Sequence, residues 1–264
     1  MPSITVNGSV MHYLEQGKGP ALVLVHGFPL DSRMWEAQVA ALSDQFRVIA
    51  PDLPGFGQSP GTGPFTMDSV ATQLNNFLDA IGVQQFVLAG LSMGGYIALA
   101  FSKKCPRRLD GLVLMDTRAE GDTAQGKEAR MKMIEAAKTS GAKAVSDLML
   151  PKLLASESIQ KRPELAGKLR QIMESQKVET IERALLAMRN REDYTDHLPS
   201  IADPTLIVVG ENDAITPPAM SEAMHRAIRK SELVIVKGSG HMSPMEQPEQ
   251  VNQALRRFLA SLPS

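Results

Sequence analysis

Phe86-Val87-Leu88-Ala89-Gly90-Leu91-Ser92-Met93-Gly94-Gly95-Tyr96-Ile97-Ala98-Leu99-Ala100-Phe101 is the stretch that decides the fold. Its first four residues are a short, unbroken apolar run, the form taken by a strand buried on both faces. From Met93 to Lys104 the pattern is helical. Between strand and helix stands the pentapeptide Gly90-Leu91-Ser92-Met93-Gly94. A strand that passes into a helix through so tight a turn needs small residues two before and two after the serine. The turn pushes the Ser92 hydroxyl out at the carboxyl edge of the sheet. It also aims the helix N-terminus and the Met93 N–H at the place where a negative oxygen would develop.

The pentapeptide is not sufficient alone. At ordinary Gly and Ser usage, a chain of this length matches Gly-x-Ser-x-Gly by chance roughly one time in ten. A second match is present, Gly57-Gln58-Ser59-Pro60-Gly61. Pro60 has no backbone N–H to offer an oxyanion. No strand runs into Ser59, and Gly61-Thr62-Gly63-Pro64 is no helix start. Ser59 reads as a loop residue and Ser92 as the nucleophile.

Working outward, Ile4–Val6 and Met11–Glu15 flank Asn7-Gly8, a hairpin signal. Ala21–Val25, Arg47–Ala50, Gly111–Met115, Thr205–Val209 and Leu233–Val236 are further buried-strand runs. Helical patterns at Met34–Leu42, Asp68–Ile81, Pro218–Lys230 and Pro248–Ala260 separate most of them. This alternation predicts an α/β fold, a mostly parallel sheet flanked by helices on both faces. It breaks once. Between Met115 and Thr205 the patterns are helical only: Glu128–Thr139, Ala142–Leu150, Pro163–Ser175 and Val178–Arg191. The sheet resumes afterwards, so residues 118–197 read as an inserted helical cap on a core made of residues 1–117 and 198–264.

A serine nucleophile needs a base, and the base an orienting acid. Of the 5 histidines, His12, His197 and His225 are assigned packing or solvated roles. His26 is read as a brace for its own loop. His241 lies in Gly238-Ser239-Gly240-His241-Met242, a flexible loop past the last strand that can reach back over the carboxyl sheet edge, where ligand groups collect. For the acid, Asp213 in Gly210-Glu211-Asn212-Asp213 is favoured by the chain order Ser, Asp, His. Asp116, at the end of Gly111–Met115, is the rival, read otherwise as a cap or ion-pair residue. Glu211 is read as a turn cap. The second oxyanion donor is expected in His26-Gly27-Phe28-Pro29. Gly27 allows a close backbone approach and the Phe28 N–H is assigned as donor.

Composition sets the outer bounds. The chain has 264 residues, 43% hydrophobic and 22% charged, with net charge −1. That suits a soluble globular protein and shows no basic excess for nucleic acid or anionic membrane. The single cysteine, Cys105, excludes an internal disulfide framework and reads as a helix-end residue. The first residues form no secretory signal, and no apolar run approaches a membrane span. The expectation is a cytoplasmic protein whose partner is a small molecule.

His26-Gly27-Phe28-Pro29, Asp52-Leu53-Pro54-Gly55-Phe56-Gly57-Gln58-Ser59, Gly90–Gly95, Gly210-Glu211-Asn212-Asp213 and Gly240-His241, in this order, resemble the α/β-hydrolase fold superfamily over nearly the whole chain. Met34-Trp35 and Leu91-Ser92-Met93-Gly94-Gly95-Tyr96 are similar to small esterases related to cofactor-free haloperoxidases and 3-oxoadipate enol-lactonases. The resemblance implies an eight-stranded sheet with a cap after the sixth strand, and Ser92, Asp213 and His241 as nucleophile, acid and base. Haloalkane dehalogenases and epoxide hydrolases carry an aspartate at the elbow, so serine implies an acyl-enzyme here. Phe28 stands where perhydrolase-like arylesterases often carry tryptophan, which argues against strong perhydrolase activity. The expected reaction is hydrolysis of a small or medium acyl or aryl ester, or of a lactone, without metal or cofactor. A non-catalytic ligand-binding role is the alternative. The pocket is expected to use Phe28, Met93, Met149 and Leu150, from the apolar runs Leu148-Met149-Leu150 and Leu153-Leu154. Arg118, if not in a surface ion pair, would receive a substrate carboxylate.

Overall fold

The computed structural model describes residues 1–61 and 63–262. Its centre is an 8-stranded sheet in the order β1-β2-β4-β3-β5-β6-β7-β8. The strands are β1 (Ser3–Val6), β2 (Ser9–Gln16), β3 (Ala21–Val25), β4 (Arg47–Pro51), β5 (Phe86–Leu91), β6 (Leu109–Met115), β7 (Thr205–Gly210) and β8 (Ser231–Val236). β1 and β2 form the hairpin across Asn7 and Gly8, both at positive φ, and β2 pairs antiparallel with β4. The remaining pairs, β4-β3-β5-β6-β7-β8, are parallel.

Alternate residues of the central strands feed two separate cores. Val23 and Val25, Phe86 and Leu88, and Leu112 and Leu114 face one; Leu22 and Leu24, Val87 and Ala89, and Val113 and Met115 face the other. This period of two with both faces covered is why the strands read as unbroken apolar runs. Helices α2 (Met67–Ala80) and α3 (Met93–Lys104) fill the first core. Helix α1 (Glu36–Leu42) and the last helix, α10 (Pro248–Ser261), fill the second.

Between β6 and β7 lie only helices: α4 (Ala124–Leu153), α5 (Ser156–Lys161), α6 (Pro163–Glu174) and α7 (Val178–Arg189), before a short 3-10 turn at Thr195–Ser200. α4 is broken at Gly141, whose φ of 74° and ψ of −174° are non-helical, so its two arms match the two helices expected there. The two ends of the insertion are tied to each other at its base. Asp122 accepts from Arg118 at 2.7 Å, from Arg191 at 2.6 Å and from Arg130. Burial alone would raise its carboxyl, but Arg130 and Arg191 hold it at about 2. The Arg191 guanidinium also stacks 4.1 Å from the Tyr96 ring centre on α3.

Some elements depart from expectation. The single helix expected at Met34–Leu42 is a 3-10 turn, Ser32–Trp35, followed by α1, because the Asp31 side chain caps the turn by accepting from Arg33 N. The helix expected at Pro218–Lys230 is α8 (Pro218–Ala227) and ends earlier, and α5 was not foreseen. Leu148 does not face the interior: it is 51% exposed. No helix among the described residues is long and apolar enough to cross a membrane.

Candidate active site

β5 delivers Ser92 at φ 53° and ψ −110°, a conformation few non-glycine residues adopt. Its backbone is held on both sides: Ser92 N donates to Met115 O at 2.9 Å, and Thr117 Oγ1 donates to Ser92 O at 2.9 Å. The flanking glycines are obligatory. A Cβ at Gly90 would lie 2.1 Å from Gly94 O, and one at Gly94 would lie 2.2 Å from Val25 O. The second contact seats the start of α3 on the end of β3. Among the described residues the Ser92 hydroxyl makes no hydrogen bond and is free to react.

The loop after β3 lies against this elbow. A Cβ on Gly27 would meet the Leu91 side chain at 2.8 Å and Ser92 Cβ at 3.5 Å. His26 fixes the loop. Its Nε2 accepts from Leu53 N at 3.1 Å, so Nδ1 carries the proton and donates to Gly27 O at 2.9 Å. Burial pushes its pKa down and keeps it neutral. Phe28 and Met93, the two expected N–H donors, are both buried, Phe28 following Gly27 and Met93 following Ser92 in the chain.

The carboxyl ends of β7 and β8 bring Asp213 and His241 together: His241 Nδ1 donates to Asp213 Oδ2 at 2.8 Å. Asp213 also accepts from Ile215 N (2.8 Å), Thr216 N (2.9 Å) and Thr216 Oγ1 (2.7 Å). Burial would raise its carboxyl, but the His241 charge and hydrogen bond, with these donors, hold it below the ordinary range. For His241, burial opposes the cation but is outweighed by Asp213, with smaller help from Asp116 and Glu246, and its pKa is raised above 6.5. Its Nε2 has no partner among the described residues.

Asp116 serves another purpose. It is buried at φ 44°. Its Oδ1 accepts from Gly210 N at 2.8 Å, and its Oδ2 from Ser243 Oγ at 2.5 Å and Ser243 N at 3.3 Å. It thus ties β6 to the turn before Asp213 and to α9 (Ser243–Glu246), just after His241. Burial and the nearby Asp213 charge push it up to about 8. Glu211 does not cap its own turn; its Oε2 accepts from Gly238 N at 3.1 Å, across in the His241 loop.

The other expected residues fall as follows. Ser59 is buried, and its Oγ accepts from His12 N at 2.9 Å. His197 bonds Ser102 and Ser200, and His225 bonds Ser231. Met149 is half-buried and packs against both cores, Leu150 against the second. Arg118 pairs with Asp122 in the cluster described above. Sequence reasoning missed Thr216; the spacing Asp-x-x-Thr, a common side-chain-to-backbone turn, was the available signal.

The carboxyl edge thus holds a strained free serine and a histidine–carboxylate pair. Such groups suit nucleophilic chemistry at a carbonyl. Comparisons with known proteins agree with this frame. The chain is similar to a thermophilic esterase from Thermogutta terrifontis, solved with malate bound, at 42% identity and TM-score 0.94, covering 98% of this chain and 97% of that one. It is 29% identical to 3-oxoadipate enol-lactonase 1 of Acinetobacter baylyi, over 92% of this chain and 90% of the relative. It is 31% identical to carboxylesterase YbfK of Bacillus subtilis, over 91% of this chain and 80% of the relative. The family model described as alpha/beta hydrolase fold matches residues 20–248, and the chain belongs to that family.

Proposed function

We propose that this protein is a serine hydrolase that cleaves carboxylic esters of small to medium acyl or aryl groups through an acyl-enzyme on Ser92. The observation that carries the reading is the His241 Nδ1–Asp213 Oδ2 bond of 2.8 Å at the sheet edge where the strained Ser92 emerges. Asp213 holds the proton on Nδ1 and leaves Nε2 as base. Nε2 takes the Ser92 proton as Oγ attacks the ester carbonyl. The Phe28 and Met93 N–H groups hold the oxyanion, each worth roughly 3 kcal/mol of barrier. The imidazolium returns the proton to the departing alcohol. Water, activated by the same nitrogen, then releases the acid. Residues 118–197 act as a cap, with Phe28, Met93, Met149 and Leu150 toward the acyl group.

Lactone opening uses the same steps, and the named enol-lactonase relative supports it as a second reading. In that reading Arg118 would have to leave Asp122, its 2.7 Å partner, to reach a substrate carboxylate. p-Nitrophenyl esters of rising chain length, assayed beside simple and acyl-homoserine lactones, test the proposal. Turnover of short and medium esters, with kcat/KM falling for long chains, is the expected result. Turnover of lactones alone moves the assignment to lactonase, and turnover of neither removes it in favour of a ligand-binding member of the fold.

A further inference from the structure

Glu246 sits in α9, shortly after His241, and is 1% exposed. Among the described residues no cation pairs with its carboxylate. Neutral donors from two separate parts of the chain hold it instead. Its Oε1 accepts from Gly240 N at 2.7 Å and from Ser239 Oγ at 3.2 Å, the two residues just before His241. Its Oε2 accepts from Ala155 N at 2.8 Å, where α4 hands over to α5 in the insertion. Arg162, between α5 and α6, donates to the Glu246 backbone carbonyl at 2.7 Å. There is no slack at this junction. A Cβ on Gly240 would lie 2.6 Å from Ala155 N and 2.8 Å from the Leu154 carbonyl carbon.

The choice of residue follows from the donors. Burying a carboxylate without a counter-ion is costly unless hydrogen bonds compensate. Here N–H and O–H groups arrive on both oxygens. A glutamine of the same shape would face one side with its own N–H₂ and leave a buried donor unpaired. Only a carboxylate accepts from the cap and from the base loop at once.

We propose that Glu246 is a positioning residue for the catalytic base, fixing the His241 loop and the α4–α5 junction of the cap to each other so that the seating of the cap and the alignment of the base are set together. This rests on the serine-hydrolase reading above. A cap that shifts at Ala155 draws on the same carboxylate that holds Gly240. Small losses of alignment at a base cost large factors in rate. The charge acts as well. Three acidic side chains face His241: Asp213 from the turn after β7, Glu246 from α9, with Arg162 behind it, and Asp116 from the end of β6, which is pushed up to about 8 and carries charge only above that pH. The charges of Asp213 and Glu246 favour the imidazolium, so neutralising Glu246 lowers the His241 pKa.

The test uses the full chain and p-nitrophenyl butyrate. Wild type is first checked for turnover and for fluorophosphonate labelling. If both fail, the serine-hydrolase reading fails, and that outcome is distinct from those below. Glu246→Gln, confirmed folded by circular dichroism, is expected to lose about tenfold to a hundredfold in kcat, and the acid limb of its kcat/KM profile is expected to move to lower pH. A merely structural glutamate would lower the thermal midpoint without moving that limb. Ala155→Pro is the second variant. Ala155 has φ −59° and Leu154 is extended, so the backbone dihedrals suit proline, while its ring carbon replaces the N–H to Glu246 and forces the junction away from that carboxylate. The variant keeps the carboxylate, so the acid limb is expected to stay in place while kcat falls several-fold along with a several-fold rise in KM. A folded Glu246→Gln variant with wild-type kcat and an unmoved limb overturns the proposal. If that variant does not fold, Ala155→Pro decides: a fall in kcat with an unmoved acid limb supports the coupling, and a wild-type kcat, with or without a change in KM, overturns it.

Discussion

Asp213 and Asp116 stand close enough to feel each other's charge, yet their surroundings separate them. Asp213 is met by four donors, one of them the His241 ring. Asp116 is met by a backbone N–H and by Ser243, with no bond to the ring. Asp213→Asn is therefore expected to lower kcat by about 10⁴, since the imidazole loses its tautomer. Asp116→Asn, a neutral side chain like the protonated acid, is expected to stay within about tenfold of wild type. Steady-state rates on one chromogenic ester decide it, and loss of activity in Asp116→Asn alone reverses the roles. The pH profile follows from the same pair. His241 must be neutral to act, and Asp213 raises its pKa above 6.5 after burial is overcome. Activity should rise through that raised value, so the acid limb of kcat/KM lies above pH 6.5; a limb at or below it contradicts the arrangement. The sequence pointed to Ser92, Asp213 and His241 through their places after strands. It favours Asp213 over Asp116 by chain order alone, because both follow strands; the side-chain contacts that separate their roles are visible only in the structure.

At the scale of the element, positive φ among the described residues is carried by Ser92 and Asp116 where the chemistry is proposed, by Asn7 in the β1–β2 turn, and otherwise by glycine. Ser92 holds φ 53° because Gly90 and Gly94 let backbone pack on backbone. Gly141 breaks α4 at φ 74° with open space around its Cβ position. Gly141→Ala meets no clash, so only the backbone resists. It should cost about 1–3 kcal/mol, read as a lower midpoint in chemical denaturation. An unchanged midpoint would mean that the α4 break does not depend on glycine. That break was legible, since the helical pattern divides there. The Ser32–Trp35 turn was not, because the Asp31 cap interrupts an apolar pattern that periodicity reads straight through. α5 was missed because six residues are too few to show a period.

For the whole molecule, the two cores are the sheet's two faces, and the insertion extends both: Ile134, Val145 and Ile181 join one, Leu153, Leu169 and Met173 the other. The general architecture was visible because strands buried on both faces leave a plain trace in sequence. The contacts that close and anchor the insertion were not, since they join residues far apart in the chain: Asp122 with Arg191 within it, and Gly55 with Thr180 and Asp31 with Gln176 from the core to it. Leu148 faces solvent for a related reason, as the apolar run around it serves a helix with only one covered side. Asp122 and Arg191 are both 1% exposed at their side chains. Asp122→Asn leaves the buried Arg191 guanidinium without its anion and should cost about 3–5 kcal/mol of stability. Denaturant unfolding measures it, and a loss below about 1 kcal/mol would mean that the arginines find other partners.

The central claim is that Ser92 is the nucleophile, and covalent capture tests it most directly. The protein is treated with a fluorophosphonate, digested, and the adduct located by mass spectrometry while ester hydrolysis is followed in the same sample. The account predicts one adduct per chain on Ser92, appearing in step with loss of activity and absent in His241→Ala. An adduct on Ser59, or an active enzyme with no adduct at Ser92, would contradict it.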